Sequence, residues 1–232
     1  MSIRFRHVLA LCLIPFIAAC GGGGDSGPVA SLDTFQFRTA YINRYIQPIS
    51  LIGHLSGTVS GVSITGTATV VSGAPSNTIF EGMEALQKVA TATVTMTVNG
   101  VTVPVSATTL AYADATYYPL GSSAPGEYGV VTGVVNIPVT ARINDTGIAY
   151  TENRYSSSSK FFFLGTTEMT FALEADTGST ALLKLIRTKK NASGTMTAQT
   201  ISTYRLTPTG VLTDISVSSI DPATNLNLLV TF

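Results

Sequence analysis

Residues 90–105 read Ala-Thr-Ala-Thr-Val-Thr-Met-Thr-Val-Asn-Gly-Val-Thr-Val-Pro-Val. Ala90, Ala92, Val94, Met96 and Val98 alternate with threonines, a period of two that places one set on each face of an extended strand. Asn99-Gly100 interrupts the alternation with the residue pair that best tolerates positive φ at both centres of a tight hairpin turn. A two-residue turn sets Val98 opposite Val101, Met96 opposite Val103 and Val94 opposite Val105. The apolar faces of the two arms therefore coincide, and a one-residue slip would separate them.

The same period runs outward in both directions. Val62, Ile64, Ala68 and Val70 alternate with Ser63, Thr65, Thr67 and Thr69. Val131, Val135, Ile137, Val139, Ala141 and Ile143 share a face, as do Phe161, Phe163, Met169, Phe171 and Leu173. Residues 181–190, 195–206, 211–220 and 226–232 complete the series, separated by Asn-Ala-Ser-Gly, Thr-Pro-Thr-Gly and Asp-Pro-Ala-Thr-Asn. Many strands joined by short turns predict an all-β fold: an antiparallel sandwich, or a sheet curved into a closed barrel. The exception lies between Asp33 and Gln47. Phe37, Tyr41 and Tyr45 recur every four residues, Asp33 stands three before Gln36, and Pro48 follows, which predicts one short N-terminal helix in preference to a strand through Phe35 and Phe37.

Ahead of the β region, Arg4, Arg6 and His7 precede an apolar run, Val8 to Phe16, that is too short to cross a bilayer. Small residues and Cys20 follow, so residues 1–19 read as a cleavable signal. The Ile17-Ala18-Ala19-Cys20 ending resembles the lipobox of bacterial lipoproteins, which implies a diacylglyceryl group on Cys20. Residues 20–31 then form a Gly/Ser-rich tether, and residues 32–232 a single β-rich domain. Gly21 stands where an inner-membrane retention signal would place aspartate, so the resemblance implies the outer membrane, periplasmic or surface-exposed. More broadly, the Cys-Gly-rich start, residues 35–41, Phe80-Glu81-Gly82, Tyr112-x-Asp114 with Pro119-Leu120-Gly121, and residues 173–177 resemble a group of uncharacterised Gram-negative lipoproteins. That resemblance implies a family and no activity.

Composition narrows the functions. Without Arg4 and Arg6 the 13 basic residues fall below the 13 acidic ones, which leaves no footprint for nucleic acid. Cys12 leaves with the signal and Cys20 is lipidated, so the domain is expected to have neither disulfide nor free thiol.

Chemistry-bearing residues are sparse. His54 is the one histidine outside the signal; Ser56, Ser60 and Ser63 lie near it, but there is no Gly-x-Ser-x-Gly elbow. Ser157-Ser-Ser-Lys160 matches Ser-x-x-Lys without the companion elements that such sites need. Glu81 with Glu84, and Glu168 with Glu174, are candidate acid pairs better read as solvated charges. Asp145, Asp176 and Asp221 fit Asx turns better than calcium loops. Arg187, Lys189 and Lys190 read as a charged edge that discourages sheet-to-sheet aggregation.

No catalytic residue, metal site or cofactor is expected, and the chain is not read as an enzyme. The expectation is a lipid-anchored envelope protein with a structural or binding role, meeting the membrane through its anchor and a protein or glycan partner through its surface. Two alternatives stand beside it. One is a carrier of an apolar ligand in a β cavity, with the helix as lid and Phe161, Phe163 and Phe171 as lining. The other is an outer-membrane barrel, suggested by the alternation of Leu226, Leu228, Val230 and Phe232, although the chain has no tryptophan for the interfacial girdles. Cys20→Ser is expected to abolish incorporation of labelled palmitate and to leave the precursor uncut; intact-mass measurement of the membrane fraction checks both.

Overall fold

The computed structural model describes residues 30–98 and 100–232. The signal, Cys20, most of the tether and Asn99 lie outside the described residues. Among the described residues, one helix, α1 (Phe37–Ile46), is followed by thirteen strands. They are β1 (Ile49–Val59), β2 (Val62–Ser72), β3 (Ser76–Phe80), β4 (Met83–Val98), β5 (Val101–Ala113), β6 (Pro119–Ala124) and β7 (Glu127–Thr132). After a long connection come β8 (Thr146–Tyr155), β9 (Phe163–Thr177), β10 (Thr180–Asn191), β11 (Met196–Leu206), β12 (Leu212–Asp221) and β13 (Leu226–Thr231).

Twelve of these strands close into an antiparallel barrel, so the barrel alternative holds and the sandwich does not. Neighbours in sequence are neighbours around the wall, and the seam is β1 against β13, from His54–Thr231 to Val59–Leu226. β3 is the strand left out. The 16-residue β4 pairs with β3 over residues 83–87 and with β2 over residues 90–98, so β3 lies beyond the point where β2 leaves off.

The threonine-rich hairpin has the register read from sequence: Val98–Val101, Met96–Val103 and Val94–Val105 are cross-strand pairs. Val94 and Met96 are buried with Leu55, Ile64, Ala68, Leu226, Leu228 and Val230 in a cluster that fills one side of the lumen. The threonines face outward, where Thr91 bonds Thr108 at 3.0 Å and Thr93 bonds Ser106 at 3.1 Å. Elsewhere the outer wall is mixed: Lys184–Glu174, Lys190–Glu168 and Arg205–Asp176 are ion pairs on it, and Ile52, Val71, Val89 and Ile148 are exposed apolar residues on it. The inner face is therefore apolar along this side of the lumen, and the outer face carries threonines, ion pairs and scattered apolar residues.

Two sequence expectations change. Residues 133–145, predicted to continue a strand, form an irregular connection across one end of the barrel. Pro138 has no N–H for a ladder. Ile137 and Ala141 turn instead toward Phe35, Phe37 and Ala40, with Phe35 and Ala141 forming a single β-bridge. The helix, for its part, starts at Phe37 and not near Asp33, with no side-chain cap; Asp33 bonds Ser31 instead. Phe35 is thus extended and Phe37 helical, so each of the two readings of this stretch holds for one of the two residues.

Segments that looked like isolated motifs meet on the outer wall. Phe80, at the β3–β4 turn, stacks on Tyr112 with ring centroids 4.2 Å apart and tilts against Tyr128 at 5.4 Å. Gly121 makes room for this, because a Cβ there would stand 2.5 Å from the Phe80 ring and 2.2 Å from the Gly129 carbonyl. Neither can yield cheaply. Gly121→Ala is expected to lower stability by about 1–3 kcal/mol, measured by urea unfolding.

Candidate functional site

The closed wall gives every strand an inner row, and the inner rows of β6 to β10 are where charge collects. On β10 the inward residues are Ala181, Leu183, Leu185, Arg187 and Lys189, apolar at one end and cationic at the other. On β8 they end in Glu152 and Arg154, and β7 begins with Glu127. Arg154 donates to Glu127 at 2.9 Å and to the carbonyls of Thr166 and Lys190 at 3.2 and 2.8 Å. Lys189 donates to Glu127 at 2.8 Å, and Ser122 to Glu152 at 3.1 Å. Arg187 lies between the carboxylates, 3.6 Å from Glu152 and 3.7 Å from Glu127.

Glu127 shows how strongly these groups are coupled. Burial pushes its pKa up, but Lys189, Arg187 and Arg154 outweigh burial and bring it down to about 2. Burial, with Arg187, lowers Lys189 to about 8, against the opposing pull of Glu127. Burial works against the Arg187 charge as well, yet Glu152 and Glu127 raise its pKa above the usual value.

α1 packs against the apolar end of these inner rows, and its Tyr41 and Tyr45 reach toward Glu152 and Arg187. Its Phe37 packs on Phe171 with ring centroids 4.8 Å apart. Arg44 forms a two-pronged pair with Asp214 at 2.6 and 3.0 Å. The Lys88 ammonium donates to the carbonyls of Arg44 and Gln47 at 2.8 and 2.7 Å, satisfying acceptors that a helix C-terminus leaves open. Burial, and then Arg44, lowers Lys88 to about 8. The Tyr45 hydroxyl donates to the carbonyls of Leu86 and Ala111.

Between α1 and the wall lies a cleft of about 270 Å³, lined by Phe37, Tyr41, Tyr45, Leu183, Leu185 and Leu212 among others, with Arg44 and Lys88 already engaged by protein partners. Beyond Tyr41 and Tyr45 is a second chamber of about 160 Å³, bounded by Tyr150, Glu152, Arg187 and Ser122. Burial first, and neighbouring tyrosine and Glu152 charge second, raises the pKa of both Tyr41 and Tyr150, so both hydroxyls stay protonated donors.

The residues singled out from sequence are placed as follows. Phe171 faces the lumen against Phe37, but Phe161 and Phe163 are 80% and 46% exposed around the β8–β9 loop and line no cavity with it. A period-two run through 161–173 puts them on one face only if the ladder is regular from 161 on; β9 begins at Phe163, and a register shift follows at once, Tyr155 pairing with Phe163 and Arg154 with Gly165. His54 is exposed on the outer row of β1, beside Ser56 and away from the lumen. Lys160 pairs with Glu81, which also accepts from Tyr128, so the Ser-x-x-Lys lysine is tied to the β3–β4 turn. Glu168 and Glu174 are the outer-wall ion-pair partners of Lys190 and Lys184. Asp221 accepts from the Ala223 N–H as an Asx turn does. Asp176 instead holds Arg205 and Thr180, and Asp145 the Arg142 N–H.

Arg187, Lys189 and Lys190 do not form a charged edge. The closed barrel removes that edge, and the first two point inward while Lys190 points out. Among the described residues no cluster of His, Cys, Asp and Glu is placed to hold a metal ion. No described helix is long and apolar enough to cross a membrane.

Removing the Glu127 charge leaves Arg154, Arg187 and Lys189 with Glu152 as their one nearby carboxylate. Glu127→Gln is expected to cost about 3 kcal/mol at neutral pH, read by urea unfolding. A depressed carboxylate pKa stabilises the fold above its unfolded value of 4.5, and that contribution is lost as pH falls toward the folded value of about 2. The variant should therefore lose stability less steeply than the parent across that window. No protein-family model matches the chain, and no curated protein or solved structure is significantly similar to it.

Proposed function

We propose that the chain is a lipid-anchored protein of the bacterial cell envelope that binds a small apolar ligand inside its barrel. The single observation that carries the binding reading is the cleft beneath α1: about 270 Å³ of space with an almost wholly apolar lining from Phe37, Leu183, Leu185, Leu212, Val70 and Ala90. Apolar space with few polar groups is the common form of a small-molecule site. The lining differs from the one read from sequence: Phe161 and Phe163 have no part in it, and α1 supplies much of it. The anchor rests on the three-zone signal and Cys20.

Two features weigh on the alternatives. A wall facing lipid would carry a continuous apolar band outward, whereas here Leu226, Leu228 and Val230 point into the lumen, and the outer wall sets the Lys184–Glu174 and Lys190–Glu168 pairs and rows of threonine among its apolar residues. This favours a barrel that stands in water on its tether. Glu81, Glu168 and Glu174 are engaged in ion pairs, and His54 stands apart on the outer wall, so no catalysis is proposed.

Displacement of a fluorescent apolar probe from the chain carrying Cys20→Ser tests the binding reading. Saturable binding is expected, and Ala90→Phe, which fills the cleft from β4, should weaken it at least tenfold while leaving the far-ultraviolet spectrum unchanged. Absence of saturable binding to the unfilled barrel would end the proposal.

A further inference from the structure

The inner row of β10 runs Leu183, Leu185, Arg187, with successive inward residues about 6.6 Å apart along the strand. The two leucines line the apolar cleft and the arginine bounds the second chamber. Tyr41 and Tyr45 border both spaces, so the two meet along the tyrosine face of α1.

Arg187 is bonded differently from its neighbour. Arg154 makes three hydrogen bonds to protein acceptors at 2.8–3.2 Å. Arg187 makes one among the described residues, to Ser122 at 3.4 Å, and stands 3.6 and 3.7 Å from the two carboxylates. A guanidinium has five N–H donors, so most of those on Arg187 are free for another acceptor in the chamber. Tyr41 and Tyr150, hydrogen-bonded to each other, add protonated hydroxyls on the same side. The charge count agrees: Arg154, Arg187 and Lys189 face Glu127 and Glu152, an excess of one positive charge.

We infer that the second chamber receives the carboxylate of an amphipathic acid whose hydrocarbon part lies in the cleft beneath α1. Arg187 is the group that pairs with the carboxylate, and Tyr41 and Tyr150 donate to it from the side. A monoanion balances the single excess charge, and a planar carboxylate suits a guanidinium's parallel N–H groups. This inference rests on the reading of the cleft as an apolar-ligand site and adds the head group to it.

Calorimetric titration of the full chain carrying Cys20→Ser with decanoate and with 1-decanol separates the two. Decanoate is expected to bind at least about tenfold more tightly, the preference given by one or two charge-assisted hydrogen bonds. Arg187→Met should bring decanoate to the affinity of decanol, and Tyr150→Phe should weaken decanoate alone. Equal affinity of the parent for acid and alcohol overturns the head-group inference while leaving the carrier reading in place. Binding of neither overturns both. The parent comparison needs no variant, so a misfolded Arg187→Met does not remove the test.

Discussion

Six residue pairs between β1 and β13 make this chain a barrel. Until they form, the sheet has two free edges and two faces, and nothing says which face is the inside. Once they form, every edge of the wall but the short β3 is paired, and odd and even positions acquire different solvents. The buried row on β13 meets the buried row on β1, and the threonine faces are turned to water. The lumen charges, the helix seat and the cleft all follow from that division.

This dependence explains what the sequence did and did not disclose. The hairpin around Gly100 was legible down to its register because a local turn and a local alternation decide it. The split of β4 between two partners was not, since β2 and β3 compete for it through contacts distant in sequence. Residues 131–143 alternate as a strand does, yet β7 stops at Thr132, and Ile137 and Ala141 pack with Phe35, Phe37 and Ala40 where Pro138 would interrupt a ladder, while Val139 is left exposed. The ionic cluster was half visible. Arg187 and Lys189 share the parity of Leu183 and Leu185, and Glu152 shares that of Arg154, so each pair belongs on one face. That the face is an interior one depends on closure, and closure has no periodic signature.

Charges in a lumen are costly to desolvate, and a hydrophobic replacement of similar volume is often as stable. Here each carboxylate has a cation or hydroxyl within reach, and Arg154 is fastened by backbone carbonyls as well. The arrangement is therefore anchored to the sheet at some members and loosely held at others. Arg187 is the loosely held one, and its position on the same strand row as the cleft leucines joins the polar and apolar halves of the lumen.

α1 belongs to no sheet. It is fixed by apolar packing, by Arg44 to Asp214, by Lys88 beneath its last carbonyls and by the Tyr45 hydroxyl. None of these contacts is a ladder bond, so the helix can lift away while all twelve staves remain paired. An element held by side-chain contacts alone is expected to open at a smaller free energy than a closed ladder of strands. For the proposed carrier, guest exchange would then follow the timescale of this helical plug, without the barrel losing its shape.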